Sequence, residues 1–266
     1  TGSLLGPMLG GALADAFGFA NTFKWVSVTI FLSAVLVFFI KEVQLKITTN
    51  DRDQKLYSSK EVIKHIFSKP VLLVVMLLSM LVQIAHFSIQ PILSLFVEEI
   101  HGSANIAFFA GMAFSAAGLG NLLFSRRFGK LGDRIGYIKV LIVLLFASGI
   151  VYLPGAFVSN IWQLIILRFM LGVAIGGIVP LRIAYIRQAA PLTMQGEVLG
   201  YNTSLRFLGN VIGPAVGGVI AASYGFSAVF YVTSALLVLS GIIMLITWYT
   251  TDYEPKDSKL LSMLKQ

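Results

Sequence analysis

Gln83, His86 and Gln90 stand three and four residues apart in the run "VLLVVMLLSMLVQIAHFSIQ". In a helix, positions i, i+3 and i+7 share one face, so three hydrogen-bonding side chains would form a single stripe. Polar groups in hydrocarbon turn toward a bundle interior or a water-filled cavity. Two roles follow for the stripe: lining a polar cavity, or bonding a neighbouring helix. Imidazole is the side chain that changes charge near neutral pH, so His86 is also a candidate proton relay. Asn121 and Asn210, in later apolar runs, have the same two options as the glutamines. Arg168 and Arg182 are expected near opposite ends of one long helix, snorkelling to water or serving a cavity or gate. Asp15 reads as a solvated cap at the end of its own helix.

Little else could make or break a bond. Cysteine is absent, which removes disulfides, thiolate nucleophiles and cysteine metal sites. No Ser/His/Asp set, metal-ligand spacing or phosphate-binding glycine loop occurs. The expectation is therefore no enzyme, no metal and no cofactor.

What positions these residues is a series of apolar spans. The 266 residues are 57% hydrophobic and 12% charged, with mean hydropathy +0.85, against roughly 25% charged in soluble domains. Runs of about 20 apolar residues mark bilayer-spanning helices. The strict alternation of a membrane β-barrel is missing. The fold class is an all-α polytopic membrane protein in contact with the lipid bilayer. One partial span covers 1–17; full spans follow near 22–41, 70–98, 104–124, 138–158, 162–186, 203–222 and 226–249. Pro91 should bend the third of these near its outer end.

The net charge of +8 is spread over alternate loops rather than pooled on one face, which argues against nucleic acid. Lys41, Lys46, Arg52, Lys55, Lys60, Lys64 and Lys69 share a side with Arg126, Arg127, Lys130, Arg134, Lys139, Arg187, Lys256, Lys259 and Lys265. The opposite turns carry none, Lys24 at the start of its span excepted. The positive-inside rule makes the basic side and the C-terminus cytoplasmic. Trp25 and Trp162 mark the outer interface, Trp248 and Tyr249 the inner one. Within the long basic loop, "SSKEVIKHIF" has Ser58 and Glu61 at capping-box spacing and the pattern of a short amphipathic helix, expected to lie on the membrane surface.

The opening stretch returns 207 residues later. Gly2, Gly6, Pro7, Gly10 and Gly11 match Gly209, Gly213, Pro214, Gly217 and Gly218, and Gly18 matches Gly225. Both copies run the same way through the membrane, as in the parallel repeats of transporters. Small residues at this spacing let helix backbones approach, and the proline should bend each helix. Both stripes are expected at the interface between two halves. On the same repeat the chain reads as a fragment cut inside a helix, with about 140 residues and four helices upstream.

Three motifs give this pattern a family resemblance. "GPMLGG" and "GPAVGG" resemble the antiporter motif of the major facilitator superfamily, drug:proton antiporter branch of twelve helices, in its fifth helix and its eleventh-helix echo. "GKLGDRIGYIK" resembles the family's cytoplasmic loop signature through Gly129, Leu131, Asp133, Arg134 and Gly136, with Tyr137 and Ile138 replacing basic residues. "RFMLG" from Arg168 to Gly172 resembles the second-half counterpart of an arginine motif, and "GEVLGYNTSLRFLG" leads into the eleventh helix, with Gln195 where an arginine is common.

The resemblance implies a partial major facilitator fold. Residues 1–41 would end the N-terminal half, 42–69 form the inter-half loop, 70–250 the C-terminal six-helix half and 251–266 a cytoplasmic tail. It implies efflux of amphipathic, cationic or zwitterionic drugs by alternating access in a bacterial plasma membrane, a setting of antibiotic resistance. The proton gradient would drive transport, and the protein would be monomeric. No Asp or Glu lies mid-span, and the family's proton-carrying carboxylate belongs to helices one or four, so the fragment alone should not transport. The alternatives are export of a sugar or other metabolite by the same fold, and a non-transporting truncated membrane protein.

Overall fold

The computed structural model describes residues 2–39 and 57–252, and their regular elements are helices. The basic residues expected at 41, 46, 52, 55, 256, 259 and 265 lie outside the described residues, as do the first part of the long loop and the tail. In chain order the helices are α1 (Gly2–Phe17), α2 (Phe19–Phe38), α3 (Ser59–Ser68), α4 (Pro70–Ser88), α5 (Leu93–His101) and α6 (Ile106–Ile135). They continue with α7 (Tyr137–Tyr152), α8 (Ile161–Gly176), α9 (Ile178–Ala189), α10 (Gln195–Tyr224) and α11 (Phe226–Asp252). A bilayer core offers no water to backbone amides, so each must be bonded within its own segment. That requirement explains helices throughout.

Seven helical stretches among the described residues are long and apolar enough to cross a membrane, and α1 adds a shorter apolar helix. Two spans are interrupted. Residues 89–92 form a turn between α4 and α5, where Pro91 cannot donate to the preceding turn. Gly177 separates α8 from α9, and Pro180 withholds the amide that would bond the Gly176 carbonyl. Pro7 and Pro214, by contrast, sit inside uninterrupted helices.

The six spans from α4 to α11 pack into one bundle, and α1 lies along α6. Buried hydroxyls tie the helices together. Ser79 Oγ donates to Asn202 Oδ1 at 2.7 Å between α4 and α10, and Ser88 and Thr233 hydroxyls meet at 3.0 Å between α4 and α11. Ser234 Oγ donates to the Gly149 carbonyl at 2.7 Å, joining α11 to α7. Large apolar side chains such as Val143, Ile150, Ile166, Met170 and Ile246 point outward, as a lipid-facing surface requires.

The two glycine stripes meet different neighbours among the described residues. On α10, Gly209, Gly213 and Gly217 face α4, inside the bundle: a Cβ at Gly209 would stand 2.7 Å from the Met80 carbonyl oxygen, and one at Gly213 2.9 Å from that of Ile84. Gly218 has no neighbour within 4 Å among the described residues. On α1, Gly11 is pressed against the Ala107 backbone of α6 and Gly111 of α6 against Pro7, while Gly2, Gly6 and Gly10 meet nothing among the described residues. The α1 contact joins segments on either side of the long loop. The repeat is more literal at its ends: Gly18 and Gly225 turn with φ of 77° and 82° before α2 and α11, a left-handed geometry that favours glycine.

Three expectations change. Residues 129–135 belong to α6 itself, so the loop signature is the end of a 30-residue helix, about 45 Å long against a hydrocarbon core of about 30 Å. The turn proper is Gly136, at φ 101°. The Tyr137 hydroxyl donates to Asp133 Oδ1 at 2.7 Å, which brings that carboxylate to the start of α7. Asp15 caps a different helix from its own: Oδ2 accepts the Phe108 amide of α6 at 2.7 Å. α3 is amphipathic, with the Ser58 amide donating to Glu61 Oε2 at 2.9 Å, but Val62 and Ile66 are buried against protein. Lys69 Nζ and His65 Nε2 reach the Ala189 carbonyl that ends α9, at 2.8 and 3.3 Å.

Candidate functional site

A cavity of about 570 Å³ opens among α1, α4, α6, α8, α9 and α10. Three glycines shape one wall. Gly172 and Gly176 of α8 sit against the backbone of α6 at Ala117 and Asn121, and Gly120 of α6 fits against Val173 and Gly172. With no Cβ between them, the two helix backbones touch. Arg168, one turn before Gly172, is thereby carried to α6, where its Cζ lies 5.9 Å from the centre of the Phe114 ring. On the opposite wall, α4 supplies Gln83, His86 and Phe87, and the Pro91 break leaves Gln90 at the same cavity, beyond the helix end.

Gln83, His86, Gln90 and Asn121 therefore share one cavity. Asn210 is half-buried and does not line it; its Oδ1 has no partner among the described residues. Arg168 and Arg182 overturn the snorkelling expectation. Each is 2% exposed, and both line the cavity. Arg206 of α10 and Tyr152 of α7 also line it and were not singled out from the sequence. Arg206 sits in "SLRFLG", an apolar stretch in which one cation stands out.

The electrostatics are one-sided. No Asp or Glu lines the cavity, and the only charged side chains buried among the described residues are Arg168 and Arg182. Arg168 Nε and Nη2, Arg182 Nε and Nη2, Arg206 Nε, His86 Nδ1 and the Tyr152 hydroxyl have no hydrogen-bond partner there. Val82, Leu171, Ile175, Ile178 and Val179 supply the apolar remainder. Size and lining match small-molecule sites, which are mostly apolar with a few placed polar groups. No cluster of His, Asp or Glu able to hold a metal occurs among the described residues.

The α1–α6 contact uses Pro7 and Gly11 of the first glycine stripe. A second hollow, of about 500 Å³, runs along it past Pro7, Gly10, Gly11 and Asp15, and Pro7 borders both hollows. The family model of the Major Facilitator Superfamily matches residues 1–126 and 75–263.

The chain belongs to the major facilitator superfamily.

Within this superfamily it is 52% identical, over 92% of its length, to the uncharacterized MFS-type transporter YuxJ of Bacillus subtilis strain 168. It is 39% identical over 91% of its length to the multidrug resistance protein MdtG of Salmonella paratyphi B, and equally to that of Salmonella typhi. The chain spans 62% of YuxJ and 59% of MdtG, about three fifths of these curated relatives. The helices described above form part of a major facilitator fold. These relatives are transporters and resistance proteins by name, in keeping with a multi-pass membrane protein.

Proposed function

We propose that the protein is a secondary active exporter of small amphipathic molecules, working by alternating access and driven by the proton gradient. Its membrane would be the bacterial plasma membrane, with the basic helix ends cytoplasmic and the working unit a monomer. The single observation that carries this reading is the cavity: a mixed polar and apolar chamber among spans, bordered by Pro7 of the helix that rests on α6. The likeness to multidrug resistance proteins supports it. α1 of the first half and α6 of the second would be the surfaces that slide. Residues 1–41 and 70–250 would then belong to the two lobes, and the proton carrier would be a carboxylate outside this chain.

Dye efflux from cells expressing the full-length protein, with and without an uncoupler, tests the reading. Uncoupler-sensitive extrusion of lipophilic dyes is expected. Gln83→Ala and His86→Ala should each change the relative rates among dyes while leaving membrane insertion intact. Failure to extrude any amphipathic dye would transfer the function to a polar metabolite, and an unchanged profile in both variants would take the cavity out of the transport path.

A further inference from the structure

We propose that the buried arginines of the cavity, Arg168 on α8 and Arg182 on α9, are two separate anion-binding positions, and that the cavity takes amphipathic molecules whose one carboxylate or sulfonate is held at one of them. The proposal deepens the exporter reading and rests on it for the word substrate.

The guanidinium edge decides the chemistry. In both arginines the unpartnered atoms are Nε and Nη2. These two N–H groups lie side by side and form the fork that receives both oxygens of a carboxylate. Arginine does not lose its proton in proteins, so each of these side chains is a buried cation whose bidentate edge is unpaired among the described residues. Burial of an unpaired charge is strongly unfavourable, and among the described residues nothing acidic lines the cavity. Arg206, with its own unpartnered Nε, adds a third positive group. The Phe114 ring beneath Arg168 and the aliphatic wall of Leu171, Ile175 and Val179 suit a flat apolar body attached to the anion. Of the cationic or zwitterionic drugs that the family resemblance implies, this arrangement runs against the purely cationic ones.

A charge series on one scaffold tests the assignment: 2-naphthoate, neutral 2-naphthamide and cationic 2-naphthylmethylammonium. Purified full-length protein should be stabilised against heat by 2-naphthoate and much less by the other two. One of Arg168→Gln and Arg182→Gln, at the position that holds the carboxylate, should weaken 2-naphthoate binding roughly 10- to 100-fold, the range for hydrogen bonds to charged groups. Arg→Lys at that position should be intermediate, because it keeps the charge and loses the fork; an unchanged affinity in both Gln variants would overturn the proposal. Without ligand, the Gln variants should melt as high as the parent or higher, since an unpaired buried charge has been removed.

The proposal is overturned if the Gln variants melt several degrees lower without ligand and 2-naphthoate has no effect on the parent. That pattern would mean a carboxylate elsewhere in the polypeptide already occupies the forks. Preference for the ammonium compound would overturn it equally. In energised everted vesicles, 2-naphthoate should accumulate. Binding without accumulation would sink the exporter reading and leave the subsite standing, whereas accumulation of the cation alone would do the reverse.

Discussion

Adjacent glycines of α10 offer a controlled perturbation. A Cβ at Gly217 would overlap the Ser88 carbonyl oxygen and stand 2.6 Å from its carbon and 2.7 Å from the Ser88 Cα; at Gly218 it would meet nothing within 4 Å. Carbon atoms pack at roughly 3.5–4.0 Å, so Gly217→Ala must part the α4 and α10 backbones by about 1 Å. Neither side is the soft end of a side chain. A gap of that size forfeits a quarter to a half of the dispersion well, here along a stripe that includes Gly213 and Gly209. It also disturbs Ser88, whose hydroxyl meets Thr233 of α11. Overpacking of this kind costs about 1–3 kcal/mol. At about 2–4 °C per kcal/mol for a chain of this size, Gly217→Ala should melt roughly 2–12 °C below the parent. Gly218→Ala should melt with the parent or slightly above it, because alanine favours helix. Fluorescence-detected size-exclusion after heating in detergent reads both variants. Equal melting of the two would show that the backbones are farther apart than described, and the close-approach argument would fail.

The same contrast on α1 bears on transport. Gly11→Ala, which must push α1 off Ala107, should slow uncoupler-sensitive efflux several-fold, while Gly10→Ala stays within about twofold, by the same overpacking logic. Asp15→Ala should speed hydrogen exchange of the first α6 amides by about 2- to 30-fold, the equivalent of a lost cap, and Asp15→Asn, which keeps an acceptor, should not. Gln195 donates to the Arg187 and Ala190 carbonyls at 2.7 and 3.2 Å. Gln195→Ala should cost about 0.5–1.5 kcal/mol in thermal melting, and Gln195→Arg should restore it, since a guanidinium can donate to the same carbonyls.

Much of the fold was legible because hydrocarbon imposes strong rules. Apolar length gave the spans, and the break at Pro91 followed from its missing amide. The end of α6 was misread as a loop because the charges of Arg126, Arg127, Lys130 and Arg134 resemble a connection; charge marks the exit from the bilayer, not the end of a helix. The stripes on α1 and α10 were legible as contact surfaces, but not their partners, since glycine spacing states that a backbone comes near without stating whose. Gln83, His86 and Gln90 were placed together by periodicity alone. Arg168 and Arg182 were misplaced because their depth depends on Gly172 and Gly176 drawing α8 onto α6, a tertiary contact that no local pattern reports. Asp15 was read as a cap correctly in kind and wrongly in address.

Gly120, Gly172 and Gly176 fasten α6 to α8 backbone on backbone. The flank of the chamber that bears Arg168 is thus anchored to the very helix on which α1 rests. Any displacement of α1 along α6 drags Pro7 over the chamber's border, so tightening that joint and reshaping the space before the guanidinium are one and the same event.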